Sequence, residues 1–311
     1  MEWVAALLTS IVAFFAALFG APQATVSYEY VPPISNVKKE AVVLFGGDMM
    51  FDRAIRIASE EHGGDHIFSC IKDTLRAADI VVANLEGPIT EHASVSLGST
   101  PGDANNFTFT FPTSTAELLA RHNIGLVNLG NNHILNFGQS GERATRVALG
   151  GAGVQYFGDT QMQRIATTTI HGVTLAFINY NQFSDSSTAS TTESQVRAVR
   201  AEGYIPIVFA HWGDEYVSAN SFQKRLAHRF VDAGAELVIG THPHVIQENE
   251  LYLDKHVYYS LGNLIFDQYW EEAVRRGIMV RVTLDESGVQ SVLEIPTELI
   301  RGGTTCLIES S

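Results

Sequence analysis

The sequence has few basic residues and few cysteines, and both shortages exclude classes of function. Its 311 residues include 20 Lys and Arg against 34 Asp and Glu, a formal net charge of −14. Non-specific nucleic-acid binding needs a basic face, so we expect no nucleic-acid partner. The only cysteines, Cys70 and Cys306, are isolated, which excludes a cysteine-based zinc site. We predict two unpaired buried thiols, although an oxidising compartment would permit a disulfide.

The N-terminal segment lacks charge altogether. Trp3–Tyr28 contains no charged side chain, and Trp3–Ala21 is apolar apart from two hydroxyl side chains. About 19 apolar residues are long enough to cross a bilayer as a helix. A cleaved signal peptide is the main alternative, but its basic n-region and A-x-A site are poorly matched. A soluble helix would normally show a polar stripe. The sequence favours a membrane anchor over residues 1–21, followed by a linker over residues 22–40.

Strand-like and helix-like segments alternate from residue 41 to residue 300, which predicts a single α/β domain. The spacing of apolar residues predicts one helix over Asp65–Ala78. Strict alternation predicts a half-buried strand over Phe107–Phe111. Residues 301–311 are predicted to form a C-terminal tail.

The stretch Leu237–Val245, LVIGTHPHV, is an apolar strand followed by two histidines. Pro243 biases His242 towards an extended backbone. In an extended segment, side chains two residues apart share a face, with Cα atoms roughly 6–7 Å apart. His242 and His244 could then each bind one of two metal ions about 3.5–4 Å apart. The alternative is a surface turn that contains two histidines.

Other polar residues also directly follow predicted strands. Together with the two histidines they form a set of seven: Asp48, Glu86, Asn132, His133, His211, His242 and His244. Ligand sites in open α/β sheets lie beyond the carboxyl ends of the strands, so these residues can converge. Carboxylate, amide and imidazole ligands without thiolate suit Mn²⁺, Fe, Zn²⁺ or Mg²⁺. The pattern predicts a site for one or two divalent metal ions.

Further residues near these strand ends have candidate roles. His133 could protonate a leaving group, and the Arg53 guanidinium could hold a phosphate or carboxylate. Glu215 could orient His211. Asp267 is either structural or close to the site. The remaining histidines are assigned structural roles: His62, His66, His92, His122, His171, His228 and His256.

Six blocks of sequence resemble the CapA family of poly-γ-glutamate capsule synthesis proteins, also represented by PgsA. They are GGDMMFDR (46–53), ANLEGPIT (83–90), NNHILNFG (131–138), HWGDEY (211–216), GTHPHVIQ (240–247) and YSLGNLIFD (259–267). In order and spacing they cover most of the predicted domain. The family is similar to calcineurin-like metallophosphoesterases, which implies a four-layer α/β/β/α sandwich behind the N-terminal hydrophobic helix.

The resemblance also implies how ligands divide between two metal ions. Asp48 and His244 would bind one ion. Asn132, His211 and His242 would bind the other.

Glu86 would bridge the two ions, with Asn84 beside the ligands, and His133 would be the acid.

Two positions depart from the superfamily's motifs. Met50 occupies the third position of D-x-H, and a thioether is a poor ligand for a hard divalent ion. Asn136 stands in place of the aspartate of NNHxxDxG, so His133 would have a neutral partner.

The resemblance implies a membrane-anchored, extracytoplasmic protein that acts in the synthesis or export of a poly-γ-glutamate-type capsule. Other membrane-bound capsule-synthesis subunits would be its partners. Two alternatives remain open at this stage. One is an independent metal-dependent phosphoesterase, and the other is a non-catalytic assembly subunit of a capsule synthase.

Overall fold

A computed structural model describes residues 39–160, 164–185 and 188–308. Within these ranges the strands, in chain order, are β1 (Ala41–Met49), β2 (Ile80–Leu85), β3 (Ile124–Asn128), β4 (Gln155–Phe157), β5 (Ile165–Ile170), β6 (Val173–Asn181), β7 (Ile205–His211), β8 (Leu237–Thr241), β9 (Asn249–Tyr252), β10 (Lys255–Tyr258), β11 (Asn263–Ile265), β12 (Arg276–Asp285), β13 (Gly288–Ile300) and β14 (Thr304–Leu307). The α-helices are α1 (Arg53–His62), α2 (Lys72–Arg76), α3 (Thr115–Arg121), α4 (Gly138–Ala152), α5 (Ala189–Ala201), α6 (Ser221–Asp232) and α7 (Glu272–Arg275). Short 3₁₀ helices span Gly64–Phe68 and Ala104–Phe107.

The strands form two sheets, which confirms the predicted mixed α/β fold. The first has the order β14-β13-β12-β1-β2-β3-β4, and β11 pairs with the end of β1. Strands β1 to β4 of this sheet are parallel, whereas β12 runs antiparallel to β1. The second sheet has the order β5-β6-β7-β8-β10-β9, with β6, β7, β8 and β10 parallel. Each sheet therefore presents several strand carboxyl ends along one edge.

Three hydrophobic cores hold the layers together. A central core joins the facing surfaces of both sheets, for example Phe45 from β1 and Phe209 from β7. A second core lies between the first sheet and helices α1 to α4, where Leu75 and Leu149 are buried. A third lies between the second sheet and helices α5 and α6. Burial on both faces explains why the parallel strands read as continuous apolar runs.

Local structure differs from the predictions in three places. The helix expected over Asp65–Ala78 is split into the 3₁₀ turn Gly64–Phe68 and the short α2. The segment predicted as the strand Phe107–Phe111 forms only an isolated bridge, between Ile89 and Phe111. Residues of the predicted tail form β14, which pairs with β13 and extends the first sheet.

The prediction that the two cysteines are unpaired is wrong. Cys70 and Cys306 form a disulfide, with their Cα atoms 4.8 Å apart and a sequence separation of 236. Cys70 precedes α2 and Cys306 lies in β14, so the bond ties a helical layer to the last described strand. The predicted tail is thus covalently part of the domain.

The predicted membrane segment, residues 1–21, and most of the predicted linker lie outside the described residues. Among the helices that the structure describes, none is both long enough and apolar enough to cross a membrane.

Candidate metal centre

The polar residues at the strand ends of both sheets meet in one cluster. Asp48 is the last residue but one of β1, Glu86 directly follows β2, and His211 ends β7. His242 and His244 follow the end of β8. Because β1 and β2 are parallel neighbours, as are β7 and β8, each pair of ends lies on one edge of its sheet. The side chains converge where the two sheets face each other, as the strand-end pattern predicts.

These side chains, together with Glu215, form overlapping groups that could hold a metal ion. In each group the candidate ligand atoms lie within 4.8 Å of one another. The groups are Asp48, Glu86 and His244; Glu86, His211 and His242; and Glu215, His242 and His244. Glu86, His242 and His244 each belong to two of the three groups, so neighbouring groups share ligands.

On one side of the cluster, His244 lies between two fully buried carboxylates. Its Nδ1 is 3.4 Å from Oδ2 of Asp48, and its Nε2 is 3.5 Å from Oε1 of Glu86. Both carboxylates have no exposed surface. Two buried acids this close cost free energy unless a cation compensates them.

On the other side, His211 and His242 lie beside an amide oxygen. Nε2 of His211 is 2.9 Å from Oδ1 of Asn132, and the two imidazole rings are 4.9 Å apart between centroids. His211 is completely buried. The structure therefore brings together all six predicted metal ligands.

Burial and close packing of the ligands determine the electrostatics of the cluster. Burial, reinforced by the neighbouring Asp48 carboxylate, raises the pKa of Glu86 well above its ordinary value. Burial alone would raise the pKa of Asp48 too, but contacts with His244 and His211 hold it well below its usual range. Burial and the neighbouring His244 lower the pKa of His242 to about 4. Burial likewise lowers the pKa of His211. Neutral imidazole is the form that binds metal.

Two buried polar atoms in the cluster have no hydrogen-bond partner among the described residues. They are Oε1 of Glu86 and Nδ1 of His242. A buried polar atom left without a partner costs about 1–3 kcal/mol, so such atoms are rare in stable folds. Both belong to the group that also contains His211. The residues present therefore fit a divalent metal ion.

The backbone of the two histidines is a strained turn, which corrects the predicted extended segment. His242 has φ of 97° and His244 has φ of 58°, a region that non-glycine residues rarely adopt. The amide of His242 donates to Oδ2 of Asp48 at 3.0 Å. The turn still directs both imidazoles into the cluster, with ring centroids 6.0 Å apart.

Two residues that orient the histidines were not predicted. Oδ1 of Asn263 is 2.9 Å from Nδ1 of His244, and Oγ1 of Thr241 is 3.0 Å from Nδ1 of His211. Asn263 follows Gly262 in the YSLGNLIFD block and pairs with the end of β1. A Cβ at Gly47 would lie 1.8 Å from the Gly262 carbonyl oxygen, so the close approach requires glycine. In the sequence, the pair Gly46–Gly47 was the one sign that another segment approaches the end of β1 closely.

Asn84 lies beside the ligands, as the resemblance implies. Its Nδ2 donates to Oδ1 of Asp48 at 2.8 Å and to Oε2 of Glu86 at 3.3 Å.

Glu215 is placed differently from its predicted position beside His211. Thr241 orients His211, while the Glu215 carboxylate is grouped with His242 and His244.

His133 faces the cluster and is held by Asn136. The backbone amide of Phe109 donates to Oδ1 of Asn136 at 2.7 Å, which fixes that atom as an oxygen. The same oxygen lies 3.2 Å from Nδ1 of His133, so Nδ1 is the protonated nitrogen. Nε2 is then an acceptor, 3.9 Å from Oε1 of Glu86. Burial lowers the pKa of His133 to about 4, so the ring is neutral at about pH 7.

The predicted anion-binding role of Arg53 is not what the structure shows, because its guanidinium is already paired. Nε is 3.1 Å from Oδ2 of Asp267, and Nη2 contacts the other oxygen of the same carboxylate. The guanidinium also lies over the rings of Phe109 and Phe266. Phe109 contacts His133 and Phe266 contacts His244, with centroids 4.5 and 4.8 Å apart. The Arg53–Asp267 pair therefore supports the wall of the cluster.

Met50 does not compensate for the missing histidine of D-x-H. Its Sδ accepts a hydrogen bond from the amide of Asp52, and its side chain is fully buried in the core beneath α1 to α4. The group formed by Asp48, Glu86 and His244 thus receives no ligand from this position.

The other candidate positions lie outside the cluster. In the part of the chain that the structure describes, none of the seven histidines given structural roles joins a metal-capable group. A cavity of about 970 Å³ lies between α3 and α4 and is lined by none of the predicted ligands. Cavity size therefore does not locate this site, whereas the convergence of ligand atoms does.

The fold and the cluster define a class: a two-sheet α/β protein with a carboxylate–histidine centre at the strand ends. A solved structure, described as a hypothetical protein from Thermus thermophilus, shares this fold. It has a TM-score of 0.53 and 17% identity, and the match covers 83% of this chain and 99% of that one.

The chain belongs to the bacterial capsule synthesis protein family PGA_cap, which matches residues 42–268 and falls in the metallophosphoesterase-like superfamily. Similar proteins include the PGA biosynthesis protein CapA of Bacillus subtilis, 28% identical over 78% of this chain and 68% of the relative. The capsule biosynthesis protein CapA of Bacillus anthracis is 25% identical over 88% and 71%. A probable polyglutamine synthesis accessory protein of Mycobacterium tuberculosis is 27% identical over 61% and 56%.

Proposed function

We propose that the chain acts in the synthesis or export of a poly-γ-glutamate-type capsule through a divalent metal centre. The pair of buried, unpartnered atoms on Glu86 and His242 carries the metal part of this proposal, since a cation satisfies both. The names of the Bacillus relatives support the capsule part.

In the proposed centre, His242, His211 and Asn132 would hold one divalent ion, Asp48 and His244 would hold a second, and Glu86 would be shared. Bound divalent ions would supply polarisation of a substrate oxygen and a lower pKa for bound water. The chain's own contribution is orientation. Asn84 fixes both carboxylates. His133 lies beside Glu86, with Nε2 3.9 Å from Oε1, and as a neutral ring protonated on Nδ1 it would accept a proton there rather than donate one as the predicted acid.

Two other functions follow from particular observations. The donor set of carboxylates and imidazoles favours an independent metal-dependent phosphoesterase. The Arg53–Asp267 pair favours a non-catalytic assembly subunit, because it removes a guanidinium from phosphate binding.

For location, we propose an extracytoplasmic domain held at the cell membrane by residues 1–21, where it would meet other capsule-synthesis subunits. The Cys70–Cys306 disulfide supports this location, since disulfides persist in oxidising compartments. Fractionation together with N-terminal sequencing of the mature chain tests it. A mature N-terminus downstream of residue 21, in a chain recovered from the medium, would contradict the anchor.

Metal analysis of the purified chain tests the centre. We expect one or two equivalents of Mn, Fe, Zn or Mg in the wild type and a loss of most of that metal in Glu86→Gln and His242→Ala. The matched control is His256→Ala, because His256 lies in β10 outside every metal-capable group found in the described residues. Equal metal content in all four proteins would contradict the proposal.

A parallel assay of the same four proteins separates the functions. Glu86→Gln should abolish capsule complementation, or cleavage of poly-γ-glutamate, with His256→Ala unchanged. Activity on generic phosphodiesters without any capsule defect would favour the phosphoesterase. Retained complementation by metal-free variants would favour the assembly subunit.

A further inference from the structure

A second concave site lies at the other end of the first sheet. It is a cavity of about 490 Å³, bounded by the end of α1, the turn before α2, α2 itself and the end of α3. His122, in its wall, lies two residues before the start of β3, whereas the candidate metal centre lies beyond the carboxyl ends of the strands. The two sites are therefore at opposite ends of the strands.

The charge of this cavity is opposite to that of the whole chain. Six of its eight lining residues are basic types: His62, His66, Lys72, Arg76, Arg121 and His122. Asp65 is its only acid, and that carboxylate already contacts Arg121 and His122. A concave basic patch on a chain with a net charge of −14 focuses positive potential locally.

Two of the cations are available to a ligand. Lys72 and Arg76 are exposed, and neither has an ion pair with any residue that the structure describes. They are four residues apart in α2, so their side chains share one face of the helix, with Cβ atoms about 5–6 Å apart. Arg121 approaches the same cavity from α3.

The wall behind these cations is fixed. His122 is only 3% exposed, its ring is stacked on Phe68 with centroids 4.6 Å apart, and its Nε2 is 2.8 Å from Asp65. The nearby disulfide at Cys70 ties the same turn to β14. The backbone that carries Lys72 and Arg76 is therefore fixed before a ligand binds, and only their side chains must be ordered.

We propose that this basic cavity binds a polycarboxylate chain. The identification of that chain as poly-γ-glutamate rests on the proposed function, whereas the anion site rests on the charges alone. Cations contributed by two separate helices suit a ligand with repeated charges better than one compact anion, because each carboxylate can meet a different cation. Guanidinium groups also pair bidentately with carboxylates. The cavity would hold the polymer at a distance from the metal centre.

The test is binding of fluorescently labelled poly-γ-glutamate to the full chain, followed by anisotropy at low and high salt. Lys72→Glu/Arg76→Glu should weaken binding by about tenfold or more and reduce its salt dependence. The matched control is Arg143→Glu/Arg225→Glu, which makes the same change in net charge at two exposed arginines outside the cavity. This control should bind within about twofold of the wild type.

Asp48→Asn and anionic phospholipid vesicles complete the experiment. Unchanged polymer binding by Asp48→Asn supports a site separate from the metal centre, and loss of binding in that variant overturns it. Equal weakening by both double charge variants would show a general charge effect and would also overturn the proposal. Binding of the vesicles without any binding of the polymer would overturn the proposal as well. Polymer binding through the cavity in a chain that fails capsule complementation contradicts only the proposed function.

Discussion

The two sheets contribute different chemistry to the candidate centre. The first supplies both buried carboxylates, Asp48 and Glu86, whereas the second supplies the three imidazoles of His211, His242 and His244. Among these five ligands, neither sheet provides both an acid and a histidine. Packing of the sheets therefore assembles the centre, and a disturbance that shifts one sheet against the other separates acids from histidines.

The sheets also differ in how they are held. Around the first sheet, the ties between distant residues include the disulfide, the Arg53–Asp267 pair, and Asp52, which accepts from the Ser96 hydroxyl and the Thr110 amide. Around the second, helix α6 is fixed by a local capping box and an apolar core. Contacts between distant parts of the chain hold both the carboxylates and the histidines, since the amide of His242 donates to Asp48 and Asn263 orients His244, whereas helix α6 is capped locally.

The largest expected loss of stability should come from the Arg53–Asp267 pair beside the first sheet. Asp267→Asn should lower the free energy of unfolding by about 3–5 kcal/mol, because it removes the only charged partner of the mostly buried Arg53 in the described residues and leaves it the oxygens of Asn106. Urea denaturation measures this. The double variant Arg53→Met/Asp267→Leu should recover most of the loss. A loss below about 1 kcal/mol in the single variant would mean that the pair behaves like a surface ion pair.

The covalent tie should rank next. Cys70→Ser/Cys306→Ser should cost about 2–5 kcal/mol, because the unfolded chain gains freedom when a long loop is opened. Thermal unfolding with and without reductant gives the comparison, and reductant should have no effect on the double variant. Metal content should stay unchanged, since neither cysteine is in the cluster.

A smaller effect should distinguish the orienting residues of the two histidine positions. Asn263→Ala should weaken metal binding by about 10–100-fold, because residues that orient a metal-binding histidine typically contribute that much. Thr241→Val should weaken metal binding by a similar factor, because Thr241 orients His211. Competition with a chelator measures both affinities. If each variant releases one equivalent, the centre has two separable ions, one oriented from each sheet.

The smallest effect should come from the local cap of helix α6, which packs on the second sheet. Asn220→Ala removes the side chain that accepts from the amides of Phe222 and Gln223, and should cost about 1 kcal/mol. Ser221→Ala, at the next position, should stay within about 0.5 kcal/mol of the wild type. A loss of stability as large as that from Asp267→Asn would contradict the expectation that the local cap of α6 contributes less than the long-range Arg53–Asp267 pair.

The strand ends were predictable because the rule that governs them is local. An apolar run that stops at a carboxylate or an imidazole can be recognised in the sequence, and parallel strands then bring such ends together. This reasoning selected Asp48, Glu86 and the three histidines, which the structure brings into one cluster. It also predicted the mixed α/β fold.

What sequence reasoning missed depends on distant partners. The disulfide joins residues 236 positions apart, and the Arg53–Asp267 pair joins residues 214 positions apart. Neither pairing has a local signature. The strained turn at His242 was also missed, because the preference of a residue before proline for extended backbone gave way to a hydrogen bond with Asp48.

The position of Cys306 sets an order on folding. It lies in β14, which follows every other strand that the structure describes, while Cys70 lies near the beginning of the domain. During synthesis, the thiol of Cys70 therefore stays unpaired until nearly the whole domain has been made. The disulfide can therefore form only after the first and last parts of the domain have come together, and a chain interrupted before β14 keeps Cys70 as a free thiol.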